Sequence, residues 1–153
     1  REALEASDAP VLRAQMFNAF PRTDGSAFDL DPTPHFDVKV AFTPRDGAVI
    51  QMGNHDVLRP GVRAEGLRIL HLPWRSFDQF ARKNRKGAAA IALAGTSEDL
   101  AYHWRRLGSL DDDALREAWA ALLAGEPLTD AAWYPRGPLR ALRSDAPTRW
   151  DDV

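Results

Sequence analysis

The sequence predicts an α/β or α+β fold in which short strands, over about residues 38–72, precede a helical C-terminal half. Three observations carry this. Residues 38–42, "VKVAF", alternate in polarity around β-branched side chains, the period-two pattern of a half-buried strand. Pro73 closes the last run of this kind, "LRILHL" at 67–72. Beyond Pro73 the apolar residues recur every three or four positions, as on a helix face.

Taken in order, residues 10–19, "PVLRAQMFNA", carry Val11, Leu12, Met16 and Phe17 and read equally as a short helix or a strand. Residues 20–37 contain Pro21, Pro32, Pro34 and four aspartates, and read as a long loop. After "VKVAF", "TPRDG" (43–47) is a turn built on Pro44 and the Asp46-Gly47 pair. "AVIQM" (48–52) is then a second strand, expected to form a hairpin with the first whose far end is the "GNHD" stretch, 53–56. "LRILHL" is the third. Ser76 and Gln79 make an S-x-x-Q capping box. The helix they open places Phe77, Phe80, Ala81, Asn84, Ala88 and Ile91 on one side, with Arg82, Lys83, Arg85 and Lys86 elsewhere around it. A second helix is expected over 97–107, opened by Ser97, with Glu98 and Asp99 where negative charge suits the dipole. A third runs from about 111 to 124. Ser109 begins it, Leu115, Ala118, Trp119 and Leu122 line one face, and Gly125 and Pro127 end it.

The expected organisation is a single domain over 1–133 and a proline-containing tail over 134–153, packed through Trp133 and Trp150. Regular βαβ alternation is missing, so the layout suits an α+β domain or the last third of an α/β enzyme. The chain starts at Arg1, and the expectation is a C-terminal portion of a larger catalytic domain.

Composition narrows the function. A formal charge of −2 gives no support to general polyanion binding, so no nucleic-acid partner is expected. The absence of cysteine excludes disulfides and thiolate metal sites, and a reducing, cytoplasmic location is the simpler expectation. No run approaches the roughly 18–20 apolar residues of a membrane span, and no transmembrane segment is expected. Signatures of P-loop, dinucleotide-binding, zincin and nucleophile-elbow sites are missing.

Three stretches carry chemistry. In "GNHD", a histidine beside a glycine at a strand end suits a divalent metal, with Asp56 supporting His55; the plainer reading is a turn histidine bonded to nearby backbone. "HLPWRSFDQFARKNRKG" (71–87) sets Arg75 just before a helix N-terminus, with Lys83 and Lys86 further on, an arrangement suited to a diphosphate or simply a solvated basic face. "YHWRRLG" (102–108) joins His103, Trp104 and Arg105, which suits stacking on a sugar or base; the plainer reading is a core tryptophan flanked by surface arginines.

The ordered run "KVAFTPRDGAVIQMGNHDV", "ILHLPWRSFDQFARKNRKGAAAI" and "HWR" resembles the C-terminal part of a bacterial branch of family 2 glycosyltransferases, over roughly residues 38–106. The matching residues include Gly53, His55, Val57, His71, Pro73, Arg75, Ser76, Gln79, Phe80, Lys83, Gly87, His103, Trp104 and Arg105. The resemblance implies the last part of a GT-A Rossmann-like domain, a nucleotide-diphosphate sugar as donor, an acceptor of unknown identity, and Mn2+ or Mg2+. It implies that His55 joins the metal and diphosphate and that Arg75 and Lys83 stabilise the leaving diphosphate. Trp104 and Arg105 are the acceptor-side candidates, and Asp56 supports His55. The family's nucleotide-binding half, with its Asp-x-Asp motif, would precede this segment. "DLD" (29–31) has that form but sits in the proline-rich loop without an apolar strand before it, and is read as coincidence. The rival expectation is a non-catalytic carbohydrate- or protein-binding α+β module.

Overall fold

A computed structural model describes residues 7–128, 131, 133–143 and 150. Among the described residues strands mix with three helices, and the helices lie in the C-terminal half. It divides into two compact units: Arg1–Phe17 with Thr33–His71, and Asn18–Pro32 with Leu72–Val153.

The first unit is built on β1 (Val11–Pro21), which runs on into the second. Val11, Leu12, Ala14 and Met16 are all buried, so neighbouring positions on both faces of the strand are covered. That erases the period-two signal and is why residues 10–19 read equally as helix or strand. β3 (Val38–Phe42) pairs antiparallel with β1, from Val11 opposite Phe42 to Gln15 opposite Val38. β6 (Arg63–His71) also pairs with β1. The expected hairpin between 38–42 and 48–52 is corrected. β3 takes β1 as its partner, and the hairpin is instead β4 (Val49–Ile50) with β5 (Val57–Leu58), antiparallel. The second strand shortens because Met52–Asn54 winds into a 3₁₀ turn, with Gly53 at φ 74° and Asn54 at φ 58°. Val11, Val40 and Val57 form the unit's core, with Phe42 and Ala48 packed against it.

In the second unit the end of β1 pairs antiparallel with β2 (Phe28–Leu30), Ala19 opposite Leu30. β2 pairs in turn with β7 (Arg140–Ala141), antiparallel. The expectation of an unbroken loop over 20–37 is therefore corrected: three residues between prolines are too few to show a pattern, yet they complete a ladder. "DLD" lies on and just after β2. Asp29 receives the Arg22 guanidinium at 2.9 Å, and buried Asp31 accepts the Arg136 N–H at 2.7 Å.

α1 (Phe77–Leu93) begins as its sequence dictates. Ser76 Oγ accepts the Gln79 N–H at 3.2 Å, while Gln79 Oε1 reaches back to the N–H of Arg75, one residue outside the cap. α2 (Tyr102–Gly108) starts five residues later than the expected position 97, because Ala101 takes a left-handed conformation, φ 54°, and breaks the run. α3 (Asp112–Leu123) is capped by Asp111, whose carboxylate accepts the Ala114 N–H at 2.9 Å, not by Ser109. α1 and α2 cross closely. Gly87 leaves room for the Trp104 ring, and Gly108 sits against Ala88 and the Asn84 carbonyl. Phe20, Trp74, Phe80, Leu107, Leu115 and Leu122 make the core. Among the described residues no helix is long and apolar enough to cross a membrane.

Candidate functional site

His55 follows a turn that only particular residues can make. Gly53 supplies positive φ without steric cost, and a methyl group there would sit 2.5 Å from His55 Cδ2 and Nε2. The imidazole therefore folds back over the glycine. Its Nδ1 lies 2.8 Å from the Val38 carbonyl, which can only accept, so Nδ1 carries the proton and donates. The Nε2 lone pair faces Lys39 Nζ at 3.4 Å, and the same ammonium donates to the Gly53 carbonyl. Asn54 Nδ2 adds a bond to the Val40 carbonyl at 3.4 Å. β3 thus holds the turn through three consecutive residues, and Lys39 is the member that sequence reading missed. Partial burial lowers its pKa, against the raising influence of Asp37. The only signal in the sequence was a lysine on a strand. Its partner lies fourteen residues away across a turn whose shape is set by dihedral angles.

Asp56 points its carboxylate elsewhere. Oδ1 accepts the Val57 N–H at 2.8 Å and the Arg63 guanidinium at 3.3 Å. Among the described residues no group of three His, Cys, Asp or Glu gathers around one point. The residues as placed do not fit a resident Mn2+ or Mg2+. Octahedral oxygen-rich ions need several oxygen donors, Asp56 Oδ1 is engaged with the Arg63 guanidinium and the Val57 N–H, and the coordinating nitrogen of His55 already faces an ammonium.

The other candidates lie in the second unit. Arg75 is exposed just before the Ser76 cap. Lys83 is half-buried, its Nζ 4.4 Å from the Trp133 ring, 4.7 Å from Trp74 and 5.8 Å from Trp104, and it donates to the Pro73 carbonyl at 3.3 Å. Trp74 Nε1 donates to the Trp133 carbonyl at 3.0 Å, which locks two walls of this indole cage together. His103 packs against Trp104 and Trp133, and burial followed by the Lys83 charge lowers its pKa. Arg105 turns its guanidinium onto Thr96 O, Thr96 Oγ1 and Ser97 O, at 3.0, 3.2 and 3.4 Å, and so pins the 96–97 turn. A hollow of about 690 Å³ lies beside it, lined by Glu98, Asp99, Tyr102, Arg105 and Arg106. His55 and Asp56 fall in the first unit, and Arg75, Lys83, Trp104 and Arg105 in the second. Lys83 and Trp104 come together around the cage.

The chain matches no protein-family model, no curated protein and no solved structure.

Proposed function

We propose that the chain works in glycosyl transfer, as the C-terminal part of a GT-A Rossmann-like catalytic domain that moves a sugar from a nucleotide-diphosphate donor to an acceptor. The observation that carries the reading is the held imidazole of His55 with an ammonium beside it, inside the motif run that resembles family 2 glycosyltransferases. Breaking a sugar–phosphate bond leaves charge on the diphosphate, and oriented donors and cations stabilise that charge most when they need no rearrangement. Arg75, exposed beside a helix start, is a second cation suited to an anion. Lys83 presents its charge through the indole cage, and aromatic faces with polar neighbours suit a sugar ring. Arg105 acts by shaping the hollow near Tyr102, the place of choice for an acceptor in this reading.

Calorimetric titration of the chain with UDP and GDP, with and without Mn2+, tests this. Saturable binding that His55→Ala weakens about 10- to 100-fold is the expected result, the scale of losing a hydrogen bond to a charged group. Binding of neither nucleotide under either condition would sink the proposal. Binding of carbohydrate alone, unaffected by His55→Ala, would favour the rival binding module, which the indole cage and the Tyr102 hollow also suit.

A further inference from the structure

We infer that Lys39 stands where a divalent ion would sit, so that the diphosphate site at His55 works with an ammonium in place of a metal. The inference rests on the proposed function, since it takes the ligand at His55 to be a diphosphate.

The argument starts from the ring. With Nδ1–H committed to the Val38 carbonyl, Nε2 is the one nitrogen able to coordinate. A metal bound there would lie about 2.0–2.1 Å from the nitrogen. Lys39 Nζ is 3.4 Å from that nitrogen and is anchored on the Gly53 carbonyl, so ion and ammonium would compete for one position, two like charges at near contact. The usual helper is also removed, because Asp56 binds Arg63 and the Val57 N–H. What remains is a cation already in place. An ammonium has three N–H donors. Here one goes to Gly53 and one faces His55, and the third is left for an oxygen of a ligand. Val38 and Lys39 are adjacent on β3, so the carbonyl that orients the imidazole and the ammonium beside it come from one strand, and the Gly53 carbonyl holds the ammonium at the ring. This is the geometry of a preset cation, not of a site waiting to be filled.

The test follows the His55 ring by NMR in the full chain, its signals identified by their loss in His55→Ala. With EDTA present, inorganic pyrophosphate should shift them saturably. Mn2+ alone should leave them unbroadened, since few oxygen donors surround the ring. Lys39→Met should weaken pyrophosphate about 10- to 100-fold, and Lys39→Arg, which keeps the charge, should retain most of the binding. Pyrophosphate that binds only with Mn2+, with the wild-type ring broadened, overturns the role of Lys39 and leaves the diphosphate reading standing. No binding with or without Mn2+ overturns both. A folded Lys39→Met chain that binds pyrophosphate like the wild type also overturns the inference, and the wild-type measurements decide the matter if that variant does not fold.

Discussion

Asp56 shows what a carboxylate in this turn does. The Val57 N–H, foremost, and then the Arg63 and Arg13 charges hold its pKa below the ordinary 3.8, against the opposite pull of burial. A depressed carboxylate pKa adds stability above the unfolded value and loses it as pH falls through the folded one. The acid limb of thermal stability, below about pH 4, should therefore be shallower in Asp56→Asn than in the wild type, as melting temperatures across roughly pH 2.5–6 would reveal. An unchanged limb would mean that the Asp56 carboxylate, with the Val57 N–H and Arg63 together, carries no linkage. The His-Asp pair was visible in the sequence as chemistry-bearing residues, but their partners were not. Spacing placed Asp56 next to His55, while the fold gives it to Arg63, seven residues on, and gives His55 to Val38 and Lys39. Adjacent side chains on a turn diverge, and only the dihedrals of Gly53 and Asn54 decide where each one goes.

Among the elements, the α1–α2 crossing is the most exacting. A methyl group on Gly87 would run into the Trp104 ring, which His103 and Trp133 already crowd. Glycine to alanine in a helix normally gains about 1 kcal/mol, while overfilling a packed contact costs about 1–3 kcal/mol. The clash should win, because the ring has little room to yield. Gly87→Ala is expected to lower stability by up to about 2 kcal/mol in urea unfolding, and a stabilised variant would contradict the packing. Elements with local signals were legible: the Ser76 cap, the Leu115–Ala118–Leu122 face and the alternation of β3 all appear where the sequence puts them. β2 and β7 were not. Strands of three and two residues earn their place through partners far along the chain, and such pairing leaves no trace in a short window. The start of α2 was misplaced for a different reason. Ser97 with Glu98 and Asp99 resembles a helix start, but the left-handed Ala101 ends that turn before the helix begins.

At the scale of the whole molecule, two units have separate cores, one of three valines and one rich in aromatic and leucine side chains. The coarse order, strands before helices, was readable because Pro73 marks a change of period. The division was not, since the second unit borrows residues 18–32 from the strand-rich region. Leu115 is fully buried in the second core, and Leu115→Ala should cost about 2–5 kcal/mol, seen as an earlier urea transition. A shift under about 0.5 kcal/mol, the range of surface changes, would argue against that core. The indole cage decides how such a transition can be watched. Trp74, Trp104, Trp119, Trp133 and Trp150 all belong to the second unit, and the first has no tryptophan at all. Intrinsic emission is therefore a reporter for one unit only. Events around the imidazole of the GNHD turn are silent in that emission, and they are read instead from the ring's own magnetic resonance or from an attached dye.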